Sequence, residues 1–151
     1  MTERGTPDPP VLKPGRYLLN TDAARRASDG EAAIGVVLNH PKDHSFKIFK
    51  DRIGPEKTIQ SAEYKALIKG LEIALENGID KIRVYLDNQL VVDQINDKAA
   101  VIRPHLKPLC EKALNLLKSF PDQRVYWVPR KRNTEADKLA REALNKNSGP
   151  I

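Results

Sequence analysis

Cysteine occurs once in the 151 residues, at Cys110, so no internal disulfide framework can form and the chain suits a reducing cytosol. The three histidines (His40, His44 and His105) are scattered and lack the paired spacing of a zinc site. No apolar run approaches the ~20 residues that a membrane-spanning helix needs. Residues 1–15 hold four prolines and no apolar stretch, which argues against a signal peptide or an anchor. There is no internal repeat. These absences predict a soluble, cytoplasmic, monomeric protein with no membrane partner, and the length fits one domain with a single core.

Positive charge is what the chain has in surplus. The net charge is +6 and the pI about 9.5, which favours a polyanionic partner such as nucleic acid, although a solvated basic surface has the same composition.

Residues 1–15, rich in Pro and Gly, read as a disordered tail; residues 16–145 form the domain and 146–151 a flexible end. Alternating patterns predict strands over 16–22, 32–39 and 46–53, with a turn at 40–43, as an antiparallel meander. Helical spacing of Ala62, Ala66, Leu67, Leu71, Ala74 and Leu75 predicts a helix over 58–77, stopped by Asn77-Gly78. A fourth strand over 81–87 follows, placed for a parallel crossover. Short helices are expected over 89–96 and 106–119, a fifth strand over 124–128, and a closing helix over 133–144 with Asn133 as its N-cap. The order implies an α/β fold: a five-stranded mixed sheet with helices packed on both faces.

Four acids stand out. Asp22 and Asp87 end the first and fourth predicted strands, and sites in mixed α/β sheets gather beyond the carboxyl ends of parallel strands. Glu63 and Asp137 lie beside the apolar stripes of their helices, where an unpaired charge is costly. Singly, each has an ordinary reading: Asp22 or Asp87 as a turn cap, Glu63 as a solvated first-turn acid, Asp137 as a partner of the helix dipole. Together, oxygen ligands without clustered His or Cys suggest Mg²⁺ or Mn²⁺, and a pair of such ions about 3.5–4 Å apart suits phosphodiester hydrolysis.

Four segments carry a family resemblance: Thr21-Asp22-Ala23-Ala24-Arg25-Arg26 with Gly30 and Ile34-Gly35; Gln60-Ser61-Ala62-Glu63-Tyr64-Lys65-Ala66-Leu67; Val84-Tyr85-Leu86-Asp87-Asn88-Gln89; and Trp127-Val128-Pro129-Arg130 running on to Asn133-Thr134-Glu135-Ala136-Asp137. In that order the chain resembles a type 1 ribonuclease H over about residues 16–144. The resemblance implies a ribonuclease H-like fold and an endonuclease that hydrolyses the RNA strand of RNA–DNA hybrids to 5′-phosphate and 3′-hydroxyl products. Asp22, Glu63, Asp87 and Asp137 match the family's metal-binding tetrad, which implies two divalent ions per site. Gln60, Asn88, Gln89, Arg26 and Asn133 fall in segments that contact the hybrid, where the 2′-hydroxyl distinguishes RNA from DNA.

The sequence also departs from the family pattern. Ala23 and Ala27 replace glycines of the first motif, and Ser28 and Asp29 replace its Asn-Pro turn; Ile59 stands where Asn is common. Arg130 stands where many members have a histidine. An arginine there can grip a phosphate oxygen but stays protonated and relays no proton. Trp127 and Cys110 read as packing residues. Two rival functions remain: a hybrid-binding module of the same fold that cuts poorly, and a nuclease of the same fold acting on other nucleic acids or from their ends.

Overall fold

The computed structural model describes residues 15–42 and 47–146. The predicted terminal tails fall almost wholly outside the described residues, as does the last residue of the 40–43 turn, whose Pro41 and Lys42 do form a turn.

Five strands form one sheet in the order β3-β2-β1-β4-β5, comprising β1 (Tyr17–Arg25), β2 (Glu31–Asn39), β3 (Lys47–Pro55), β4 (Lys81–Leu86) and β5 (Asp122–Trp127). The first three pair antiparallel, while β4 runs parallel to β1 and β5 parallel to β4. The crossover that permits the parallel pairing is α1 (Ile59–Glu76). Three further helices follow: α2 (Gln89–Ile95), α3 (Lys107–Leu117) and α4 (Thr134–Asn145).

Local chemistry sets the ends of α1. Thr58 Oγ1 accepts from Ser61 N at 3.1 Å and Ser61 Oγ accepts from Thr58 N at 3.4 Å, a reciprocal cap that satisfies two otherwise orphaned donors. Gly78 then turns with φ +76°, a conformation that favours glycine, and Ile79 N closes on Ala74 O.

Alternation along β2 shows the two helical layers. Val36 packs with Leu67 and Leu71 of α1, whereas its neighbour Val37 packs with Ala136 and Leu139 of α4. The α1 side, completed by α2 and α3, holds the main core, with Cys110 buried in it as expected. On the other side α4 packs over β1, β2 and β3. The β4–β5 half of that side carries no helix among the described residues.

Several boundaries differ from expectation, among them that of β3, which runs on to Pro55. Asp22 does not end its strand: β1 runs on to Arg25 because the hairpin pairing continues through Asp22–Gly35, Ala23–Ile34, Ala24–Ala33 and Arg25–Ala32. The fifth strand begins at Asp122 and ends at Trp127, since it pairs with β4 from Lys81 to Leu86. The helix expected over 106–119 opens as a 3-10 turn at Pro104–Leu106 and is α-helical only from Lys107 to Leu117.

Candidate active site

Parallel pairing of β1 with β4 brings Asp22, within β1, beside Asp87, the first residue after β4. Glu63 comes from the second turn of α1. It shares a stripe with Gly70, seven residues on, where an added Cβ would lie 2.8 Å from Thr21 Cγ2; the missing side chain lets α1 sit close against β1. Each of the three carboxylates offers an oxygen, and these oxygens lie within 4.8 Å of one another. Asp22 and Glu63 are buried and Asp87 is half-buried.

Such a cluster is costly for bare carboxylates. Burial, and then the Asp87 charge, pushes the Asp22 carboxyl from an ordinary 3.8 up to about 7. Burial first, then Asp22 and Asp87, holds Glu63 well above the usual range. Asp87 is raised by burial, against the opposing pull of the Asn133 amide and the Arg130 charge. Among the described residues, no salt bridge reaches any of the three. An all-oxygen donor set, crowded, largely buried and without a cationic side chain, fits a hard divalent cation.

Asp137 stands apart from the trio. It lies in the first turn of α4, where its Oδ1 accepts from Arg141 Nε at 3.0 Å, although its charge still acts on Asp22 and Asp87. Asn133 is the N-cap residue of α4, as expected, but its side chain makes no capping hydrogen bond. Its Nδ2 instead donates to Thr21 O at 2.9 Å and Asp87 Oδ2 at 3.3 Å, and its Oδ1 accepts from Asn20 Nδ2 at 2.9 Å. This amide ties the start of α4 to β1 and orients Asp87.

The remaining predicted residues are more dispersed. Arg130 sits exposed in a 3-10 turn (Arg130–Arg132), close enough for its charge to lower Asp87. Asn88 caps α2, its Oδ1 accepting from Val91 N at 3.1 Å. Gln89 Nε2 donates to the Asp93 carboxylate on an exposed helix face. Gln60 lines a hollow with Leu90, Gln94 and Ile102. Arg26 forms an exposed ion pair with Asp29 in the β1–β2 turn.

Sequence reasoning missed Asn20 and Arg141. The second was within reach, since four residues from Asp137 is the spacing of a helical ion pair. It also missed the indole of Trp127, whose Nε1 donates to Asp87 O at 3.3 Å.

The raised carboxyls set a pH dependence. A folded-state pKa of about 7 against an ordinary 3.8 means that Asp22 contributes full stability below the ordinary value and loses it as pH rises through about 7. In EDTA the melting temperature should therefore fall between pH about 4 and about 7 and level off above. In Asp22→Asn much of that fall should vanish, a difference on the order of 5 °C in differential scanning fluorimetry. A wild type and variant with parallel profiles would contradict the assignment.

A family model described as reverse transcriptase-like matches residues 20–143. The chain is 38% identical over 131 residues to ribonuclease HI of Halobacterium salinarum, covering 87% of this chain and 65% of that protein. It is 36% identical over 132 residues to a bifunctional protein of Mycobacterium tuberculosis, covering 86% of this chain but only 36% of that protein, so it spans about a third of the mycobacterial relative. Among solved structures, RNase H1 of the same halophilic archaeon superimposes with a TM-score of 0.83 at 38% identity, covering 87% of this chain and 98% of that one. LC11-RNase H1, solved in complex with an RNA/DNA hybrid, gives a TM-score of 0.80 at 31% identity, covering 86% and 97%.

Proposed function

The chain belongs to the type 1 ribonuclease H family, and from that premise we propose that it is an endonuclease hydrolysing the RNA strand of RNA–DNA hybrids with two divalent ions, Mg²⁺ or Mn²⁺. The observation that carries this reading is the trio of Asp22, Glu63 and Asp87, with oxygens within 4.8 Å and no cationic side chain paired to it. These three would hold the metal, with Asp137 as a fourth ligand once released from Arg141. Bound there, divalent ions supply charge stabilisation at the phosphate and lower the pKa of water. The remaining residues position. Ala23 N donates to Asp22 Oδ1 at 2.9 Å and fixes its rotamer, and Asn133 does the same for Asp87. Arg130, exposed beside Asp87, is placed to grip a phosphate oxygen, and Gln60, Asn88, Gln89 and Arg26 to meet the hybrid. The enzyme acts as a cytoplasmic monomer in this reading; among the described residues no helix is long and apolar enough to cross a membrane.

The Asp137–Arg141 ion pair favours one rival, a module that binds hybrids but cuts slowly because its fourth acid is engaged. One experiment separates the readings: single-turnover cleavage of end-labelled RNA in a hybrid, across Mg²⁺ and Mn²⁺, beside end-blocked hybrid, duplex RNA and duplex DNA. Internal cuts confined to the hybrid RNA support the proposal. Binding without cuts supports the module, and cuts in the other substrates support the wider nuclease.

With a net charge of +6, hybrid binding should be strongly salt-dependent, because each neutralised phosphate releases counterions. Affinity in EDTA, measured by anisotropy, should fall on the order of tenfold or more between about 50 and 200 mM salt. A nearly flat titration would show that the basic surface does not hold the backbone.

A further inference from the structure

Where no described helix covers the sheet beyond α4, β4 and β5, with Arg16, Leu18 and Pro41, line a concavity of about 870 Å³. Alternation along β4 buries Ile82, Val84 and Leu86 in the helical layer and turns Lys81, Arg83 and Tyr85 to this other face. Tyr85 and Tyr126 are direct register partners and stack, with ring centroids 5.7 Å apart and 23° between planes. Tyr126 and Trp127 are each 44% exposed, leaving two large aromatic side chains in water on an edge strand. Two of the chain's four tyrosines therefore share this one surface, and Trp127, the next residue of β5, stands at its end.

The charges of the groove favour a polyanion. Among the described residues Asp122 is the only acid lining it, and it is taken up by Arg83 Nη1 at 2.8 Å and Arg16 Nε at 3.2 Å, so the cations outnumber it. The aromatic end lies at the carboxyl ends of β4 and β5, where Trp127 Nε1 donates to the backbone carbonyl of Asp87, the residue that follows β4. Aromatic faces flanked by cations are the two elements of a single-strand nucleic-acid site, because unpaired bases can stack where duplex bases cannot. Six strand residues at about 3.3 Å each give a track on the order of 20 Å, enough for a few nucleotides.

We propose that the Tyr85–Tyr126 face of β4 and β5, with Arg16, Lys81 and Arg83 beside it, is a second nucleic-acid site, which binds single-stranded DNA or RNA leading away from the catalytic cleft. The site rests on the nucleic-acid reading of the cleft for its biological setting, but its binding can be measured alone. Its use would be to seat the unpaired stretch adjoining a hybrid and so direct cleavage towards hybrid–single-strand junctions. A cross-strand tyrosine pair that only stabilises the sheet would show no such binding.

The test is fluorescence anisotropy of labelled oligo(dT) and oligo(rU), about 15 nucleotides long, titrated with the full chain in EDTA. Wild type should bind, Tyr126→Ala should weaken binding roughly tenfold, and Tyr126→Phe, which keeps the ring, should bind as wild type. Blunt hybrid should be cut equally by all three proteins and, in excess, should leave the oligonucleotide bound. Absence of binding by wild type, equal binding by Tyr126→Ala, or full displacement by blunt hybrid would each overturn the proposal. A protein that binds oligonucleotide through Tyr126 yet cuts no hybrid keeps this site and removes the ribonuclease reading; one that cuts hybrid but binds no oligonucleotide does the reverse.

Discussion

Asp87→Asn is expected to lower single-turnover cleavage of a hybrid about a thousandfold, the scale of several kcal/mol of lost metal-centred stabilisation, while sparing the fold. The substitution keeps the size of the side chain, and its amide oxygen can still accept from Asn133 Nδ2, which now donates to Asp87 Oδ2. What it removes is one of three crowded carboxyl groups and the charge it places beside Asp22. Asp87 is the second largest cause, after burial, of the raised Asp22 carboxyl, so its neutralisation eases ionisation of Asp22. The metal-free variant should therefore melt at or above the wild-type temperature near neutral pH, and the stabilisation that wild type gains from added Mg²⁺ should shrink. Hybrid affinity in EDTA should be unchanged or higher, since a negative charge has left the cleft. Cleavage rates, paired melting curves with and without Mg²⁺, and anisotropy in EDTA measure all three. A variant that cuts at near wild-type rate would remove Asp87 from the metal site. One that melts far below wild type would mean that the carboxylate is a structural acid.

Much of this geometry was readable in the residues themselves, and what was not depends on contacts distant in sequence. Thr58 and Asn77-Gly78 bracket α1 because capping is local chemistry, a matter of three or four residues. Asp22 and Asp87 were legible as acids near strand ends, but their adjacency required β1 and β4 to be neighbours, which the parallel pairing supplies. The extension of β1 past Asp22 did not, because it is decided by partners Ala32 to Gly35 across the hairpin turn. Asn133 illustrates the same limit: its position before a helix signals a cap, yet its bonds go to Thr21, 112 residues away, and to Asp87, 46 residues away. The Asp137–Arg141 pair was the reverse case, a local spacing that the search for four converging acids passed over. Trp127 reads as packing, yet it is 44% exposed at the end of the edge strand, and its neighbour Tyr126 is open because α4 covers only the β1–β3 half of the other face.

Gly35→Ala should be among the most damaging single-methyl changes in the chain. Gly35 lies in β2 with an ordinary strand backbone, so conformational freedom is not what requires glycine there. Space is: an added Cβ would fall 2.2 Å from Ala136 O, 2.8 Å from Ala140 N and 3.0 Å from Leu139 Cβ. Two of these atoms are helix backbone, which no rotamer change can move aside, so α4 as a whole must retreat from the sheet. Its neighbours on either side, Val37 with Ala136 and Leu139, and Ala33 with Ala143 and Leu144, then lose packing together. Overpacking of this kind costs about 1–3 kcal/mol, and more where backbone is displaced, which for a domain of this length corresponds to a melting temperature lower by roughly 5–10 °C. The effect should reach the site as well. Gly35 pairs directly with Asp22, and α4 carries both Asp137 and, at its start, the Asn133 amide that holds Asp87. Cleavage measured well below the variant's own melting temperature should thus fall further than the folded fraction explains, with Mg²⁺ dependence shifted to higher concentration. Melting curves and Mg²⁺ titrations of wild type, Gly35→Ala and Gly70→Ala make the comparison. The Gly70 contacts, at 2.8–3.1 Å, are to side-chain methyls of Thr21 and Leu19 that can shift, so that substitution should cost less. If Gly35→Ala melts within a degree or two of wild type, α4 is not seated on the β2 backbone as described, and the route by which it positions Asp137 and Asn133 fails with it.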